Sequence, residues 1–512
     1  MAASTRGAPQ LRLVRPLATA YALGLLSSTS PRIIKILILV AKRKLEPHAA
    51  WRQLNRVIRQ ALALHRFPTF CGVLVGGSTL LPIPVYRLVS GVLQAIPVVP
   101  TISTSQRRRF ATFLAALLSA SLSFRLLNRV PTSLQQDVEA AQPLTHLEVC
   151  SPGPFDEPPE RSSREIDAST LDAKLLTRSD LAGRTMDLTL FSVIRALDIA
   201  VSTMWDHATR SGTAEKAKLV SSITPPLLFC FSAATIMHAW FYTPSRLPTT
   251  YNRWISAAAE LDQRLLLTLR HARYGTWVYG KDTGMASLLG SMCHDYGLPE
   301  EYGDPSKTVP IPCELVHMGR GKSCEKHAVL RFCRGWAFAA KMYAPLQLVI
   351  LARFARKHRR AGDQYGLSGL NLDATVRAAV DMARSSAFLG AFIALFYYNV
   401  CLSRTRLGPK LFSSKVVTPQ MWDSGLCVLA GCLMCGWSVL FERPRKRLEI
   451  LFFVLPRAAA TWFPRRYLPE DRWKEHLAFS ISAAVVLTTA QESPRRVRGV
   501  LGKVLHGVLS TK

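Results

Sequence analysis

Long uncharged runs between short basic clusters set the pattern of this chain. Phe67 to Tyr86 carries no charge between Arg66 and Arg87, and Leu88 to Gln106 none before Arg107-Arg108-Arg109. Leu219 to Ser245, Ser385 to Ser403 and Ser424 to Phe441 are further runs of the same kind, and Phe110 to Phe124 and Leu477 to Gln491 are shorter ones. Trp336 to Ala352 holds a single lysine, Lys341. A helix needs about 20 apolar residues to cross a bilayer, so the pattern predicts about five to eight spans by that length rule. The expected fold class is all-α: a multi-pass helical membrane bundle with a Cys/His-rich loop region. Buried helices of a soluble protein are the plainer alternative, but five runs near the spanning length disfavour it.

Proline and small residues refine the picture. Pro82, Pro84 and Pro97 break the first hydrophobic region, and Pro225-Pro226 interrupt the Leu219 run near its start, so kinked or partly re-entrant segments are expected there. Gly72 and Gly76 form a GxxxG. Ala111, Ala115, Ser119 and Ser123 line one helix face, Cys427, Gly431 and Cys435 another, and Gly390 and Ala394 a third. Lipid gives helices no hydrophobic reason to associate, so close approach over small residues holds such bundles together. These faces could also join copies of the chain into a homo-oligomer.

Composition agrees with a membrane setting. Of 512 residues, 49% are hydrophobic and 19% charged, which excludes a disordered chain or a coiled coil. Lys plus Arg is 65 against 34 Asp plus Glu, a net charge of +31. That excess suits nucleic acid or an anionic membrane face. The clustered apolar runs select the membrane, so lipids rather than nucleic acid are the expected partners. The 11 cysteines read as reduced thiols.

The composition divides the chain. Residues 1–60 form a basic arm with 11 Lys or Arg and one acidic residue, Glu46; it reads equally as a mitochondrial presequence or a membrane-surface arm. Residues 61–130 form a hydrophobic membrane module, 131–180 an acidic Pro-rich linker, and 181–355 a central module with a Cys/His-rich loop. Residues 356–371 are a basic linker, 372–490 a carboxyl membrane module and 491–512 a basic tail. The sequences FATFLAALLSA after Arg109 and SSAFLGAFIAL after Arg384 resemble one another, which suggests an internal duplication or shared membrane composition.

Candidate chemistry is concentrated in PCELVHMGRGKSCEKHAVLRFC. Cys313/His317 and Cys324/His327 are two pairs of the ligand types zinc takes, with Gly319 and Gly321 letting the chain turn between them. Zinc on Cys313, His317, Cys324 and His327 is one reading; packed thiols and capping histidines are the other. The segment Arg273 to Gly284 holds Gly275, Gly280 and Lys281 at P-loop spacing, but Asp282 replaces the required Ser or Thr, so a turn-rich loop is expected. On the helix expected from Met186, the residues Asp187, Arg195, Asp198, Ser202 and Asp206 fall within about 100° of arc. They form a wet face, a buried structural pair, or part of a transport path.

Several of these segments, taken in order, resemble a known family. They are MDLTLFSVIRALDIAV (186 to 201), Trp240-Phe241-Tyr242 with Arg246-Leu247-Pro248, Tyr279 to Gly284, Met292 to Gly297, and Pro310 to Glu314 with His317 and Ser323 to His327. Together with RLEILFFVLPRAAATW they are similar to the fungal branch of the transmembrane protein 135 family, over roughly residues 60 to 490. That family has a Cys-rich amino-terminal domain and membrane segments similar to the mitochondrial import-channel and peroxisomal membrane protein superfamily. The resemblance implies an integral membrane protein of peroxisomes first and mitochondria second, active in lipid homeostasis and in organising those organelles. It brings no reaction and no catalytic residues, so no enzymatic activity is expected. A translocation pore or carrier for lipids or other solutes is the alternative, and a metal-dependent membrane enzyme a third reading.

Overall fold

The computed structural model describes residues 8–95, 103–129, 183–209, 214–360, 372–463, 465, 467 and 469–509. The acidic linker expected at 131–180 lies outside these residues, as does most of the basic linker at 356–371. Among the described residues every regular element is helical. Seven of the described helices are long and apolar enough to cross a membrane. The chain is therefore a multi-pass helical membrane protein. It divides into two compact units: the described parts of Met1–Leu144, Leu175–Ala214 and Arg465–Lys512, and those of Glu215–Pro464.

The first unit opens with α1 (Ala8–Ala41) and the short basic helix α2 (Pro47–Ala61). Next come α3 (Phe67–Leu80) and α4 (Pro82–Ala95), bent by 47° at the proline pair, as the sequence predicted. Arg66, followed by Pro68 at the second helical position, starts α3, because proline lacks only an N–H that has no partner in the first turn. Helix α5 (Thr104–Asn128) begins with a capping box between Ser103 and Gln106. Its small face packs on α3: Ser119 donates to the carbonyls of Val73 and Leu74 at 2.6 and 2.9 Å. Helix α6 (Met186–Thr209) follows.

The second unit starts with α7 (Ala214–Tyr242), which continues through Pro225 and Pro226 instead of breaking there. A 3-10 turn at Pro244–Arg246 leads to α8 (Thr249–Ala259), α9 (Gln263–Tyr274) and α10 (Ala286–Asp295). Asp262 caps α9, accepting from the Arg264 N–H, and the left-handed Gly275 ends it. Two long helices then pair along their lengths, α11 (Cys324–Arg360) and α12 (Leu372–Cys401). Gly335 and Gly390 let their backbones meet: a Cβ on Gly390 would lie 2.7 Å from the Phe332 carbonyl oxygen. Beyond α12 comes a π-helical turn (Leu402–Leu407); a second one (Trp422–Leu426) leads into α13 (Cys427–Cys435), and α14 (Pro444–Ala460) closes the unit.

The chain then returns to the first unit with α15 (Arg472–Glu492), a 3-10 turn at Pro494–Arg496 and α16 (Gly499–Leu509). Helix α15 packs on α5, with the Phe124 and Phe479 rings 4.9 Å apart, and on α6, where Ser482 donates to Ser192 at 2.9 Å. In the second unit α7 has the same role. Phe229 meets Phe388 of α12 at 5.8 Å, and a Cβ on Gly436 would lie 2.5 Å from the Cys230 Cα. The two helices also match in sequence at one constant offset: Phe229/Phe479, Ser232-Ala233-Ala234/Ser482-Ala483-Ala484, Pro244/Pro494 and Arg246/Arg496. In the first unit α1 packs on α3, α3 on α5, and α5 and α6 on α15; in the second α11 packs on α12, α12 on Pro419–Phe441, and α7 shares their core. Helix α15 follows the second unit in the chain and α7 follows the first, so each packs away from the helices that precede it.

Candidate metal centre

Three sequence-predicted ligands come together at the mouth of the α11–α12 pair. Cys313 opens a single helical turn, Cys313–Val316, after Pro312. His317 ends that turn. Met318, Gly319 and Gly321 then take positive φ, and Gly321 at +90° makes the reversal that an L side chain would resist. Cys324 begins α11. The ligand atoms of Cys313, His317 and Cys324 lie within 4.8 Å of one another, with His317 and Cys324 buried. Closing by about 1 Å would give the spacing of a tetrahedral site with Zn–S bonds of about 2.3 Å. The ten described cysteines are all free thiols.

The histidine is oriented for this task. Its Nδ1 lies 2.7 Å from the Gly321 carbonyl oxygen. A carbonyl can only accept, so Nδ1 carries the proton and donates. Nε2 then presents its lone pair to the Cys401 Sγ at 3.3 Å. A carbonyl holding the far nitrogen is the usual support of a metal-bound histidine. A hydrogen bond from Cys401 pulls the Cys313 thiol below its usual value; burial opposes this, and the nearby Arg404 and His317 favour the thiolate.

His327 is placed differently. Its ring stacks on that of His317 with centroids 4.5 Å apart, and its Nε2 accepts from the Arg331 Nε at 3.4 Å. It is not among the three residues whose ligand atoms converge. Cys401, which sequence reasoning did not single out, faces the cluster from the end of α12. No local spacing could have shown it, because it belongs to a distant helix.

A second buried group lies one turn beyond. Arg404 and Asp423, both almost fully buried, pair through Arg404 Nε and Asp423 Oδ1 at 2.6 Å and through Nη2 and Oδ2 at 3.1 Å. Tyr279 also donates to Asp423, and Arg404 donates to the Ile311 carbonyl two residues before Cys313. The two charges sit on the two π-helical turns. Such turns rotate a side chain out of the helical register, often at working sites. The Tyr279 loop is the turn-rich segment expected at 273–284, with positive φ at Gly275, Gly280 and Gly284. Two acids of the α6 stripe have basic partners: Arg465 holds Asp187 through two bonds of 3.1 and 2.8 Å, and Arg498 approaches Asp198 to 3.8 Å.

No family model, no curated protein and no solved structure matches the chain.

Proposed function

We propose that this chain is an integral protein of an organelle membrane, peroxisomal first and mitochondrial second, acting without enzymatic activity in lipid homeostasis and organelle organisation. The transmembrane protein 135 family, which it resembles, is the source of the organelle and the role. The observation that carries the reading is the bare apolar surface of the long helices. On α11, Met342, Leu346, Leu348, Val349 and Ile350 stand 44 to 66% exposed with no protein over them. Only 11% of that helix's apolar window is buried. Such area is stable only against lipid or a large partner.

The Cys/His cluster is read as a zinc staple with Cys313, His317, Cys324 and Cys401 as ligands, tying the 311–324 loop to the starts and ends of α11 and α12. Three thiolates and one imidazole form a closed structural set, and a closed set leaves no open position for catalysis. The π-turns around the buried Arg404–Asp423 pair favour the carrier as second reading. Lipid or solute flux through reconstituted protein would select it.

Cell fractionation with carbonate extraction tests the main reading. The protein is expected in the carbonate-resistant pellet of peroxisomes. Release into the supernatant would overturn the membrane assignment, and a resistant signal in neither peroxisomes nor mitochondria would overturn the organelle assignment.

A further inference from the structure

One end of the first unit holds a cavity of about 360 Å³ that the metal centre does not touch. It lies where α3 begins at Phe67, α5 ends at Asn128 and α6 begins at Met186. Gly24 of α1 meets Pro68 at this level: a Cβ there would be 3.0 Å from the Pro68 Cα. Helix α1 continues past it through Arg32 and Lys35, and α2 folds back beside it. If these helices span a bilayer, the cavity sits at the depth of the headgroups.

The lining is cationic at one side and apolar at the other. Arg32, His65, Arg66 and Arg184 contribute the charge-bearing groups. Phe67, Pro68, Leu127 and Leu188 form the apolar wall. Asp187 is the carboxylate in this lining, and Arg465 already holds both of its oxygens. The Nε of Arg66 is buried and has no hydrogen-bond partner among the described residues. Burial, followed by the charges of Arg66 and Arg184, pushes His65 below its usual value.

Helix α2, which supplies Val57, Gln60 and Ala61 to the lining, is built for a membrane surface. Ala50, Trp51, Leu54, Val57, Ile58 and Ala61 share one face, with Arg52, Arg56 and Arg59 on the other. Trp51 is 65% and Ile58 39% exposed. A basic amphipathic helix with bare apolar side chains lies in the interface of an anionic leaflet. Cavity, charge and depth therefore fit one ligand.

We propose that this cavity binds the phosphate of an anionic membrane lipid, clamped by Arg66 and Arg184 with Arg32 beside them, its acyl chains running along Phe67, Leu127 and Leu188. Guanidinium forks match phosphate oxygens two at a time, and the empty Arg66 Nε supplies a donor. The proposal rests on the membrane reading alone and needs neither the organelle nor the zinc site.

The test uses the full-length protein in mild detergent, with native mass spectrometry and thermal shift on adding dioleoyl phosphatidic acid, phosphatidylcholine or sodium phosphate. Phosphatidic acid is expected to bind one per chain, with affinity at least about tenfold lower in the Arg66→Gln/Arg184→Gln double variant, as loss of charge-assisted forks predicts. Lys410→Gln in the second unit should bind as the parent does. Leu188→Trp keeps every cation but fills the cavity, and it too should lose binding; it carries the test if the double variant does not fold. Equal binding in the double variant or in Leu188→Trp would overturn the proposal. So would equal affinity for phosphatidylcholine, or for inorganic phosphate without dependence on acyl chains. Carbonate-resistant protein with no phosphatidic-acid selectivity would sink this proposal and leave the membrane reading standing.

Discussion

His317 can offer only Nε2 to the thiols, because its Nδ1–H already donates to the Gly321 carbonyl. The nitrogen that remains meets Cys401 at 3.3 Å, while His327 lies flat against the same ring. The proposed fourth ligand is Cys401, whose Sγ faces that nitrogen, whereas the His327 Nε2 already accepts from Arg331. Purified protein should carry about one zinc per chain, measured by inductively coupled plasma mass spectrometry. Cys401→Ser and Cys313→Ser should each fall below about 0.2 zinc, since three remaining ligands leave the tetrahedron open. His327→Phe preserves the stack and should keep its zinc. Zinc retained in Cys401→Ser and lost in His327→Phe would reinstate the two-pair ligand set that the sequence spacing suggested.

At the scale of elements, close packing depends on residues with little or no side chain. Ala115, Ala116 and Ala120 of α5 are fully buried, as are Ser119 and Ser123 to within 1%. The faces read as small-residue stripes are used inside the units: Gly76 against Leu17 of α1, Gly431 against Val400 and Phe396 of α12. At Gly390 the neighbour is backbone and cannot swing away. Gly390→Ala should destabilise by about 1–3 kcal/mol, the usual cost of overpacking. Gly91→Ala, with nothing within 4 Å, should stay within about 0.5 kcal/mol. Thermal unfolding in detergent compares the two; equal losses would mean that the α11 and α12 backbones do not touch at Gly390. These elements were largely legible in the sequence. Uncharged length gave the spans from Leu219 onward, Pro82 and Pro84 the bend between α3 and α4, and Gly319 with Gly321 the reversal in the Cys/His loop. Uncharged length missed Val14–Ala41 and Met186–His207, whose charges interrupt the apolar run, and wrongly offered Leu88 to Gln106. Pro225 and Pro226 stay inside one helix, because a helix tolerates proline when neighbours or solvent take the freed carbonyls. Cys401 and the Arg404–Asp423 pair were not legible, because long-range partners leave no mark on local spacing.

In the whole molecule two helices are exchanged between the units. Helix α7 follows the first unit's helices in the chain but packs in the second, and α15 follows the second unit's helices but packs in the first. The Phe-x-x-Ser-Ala-Ala…Pro-x-Arg match of α7 and α15 runs at one constant offset. The matched helices also repeat a burial pattern: Phe229 and Phe479 are each 2% exposed, and Leu247 and Val497, just beyond the 3-10 turns, are 2 and 6% exposed. The exchange makes an asymmetric prediction for truncation. A chain ending at Phe463 keeps every helix of the second unit, including α7 and the Cys/His cluster, but removes α15 from the first. Bare faces of α5 and α6 would remain, with Phe124, Ser192 and Ser121 stripped of Phe479, Ser482 and His476. Limited proteolysis should then cut the first unit rapidly while Glu215–Pro464 stays protected and holds its zinc. Units closed by their own half of the chain would give the opposite result: the truncated protein would lose protection around α11 and α12, and the first unit would survive.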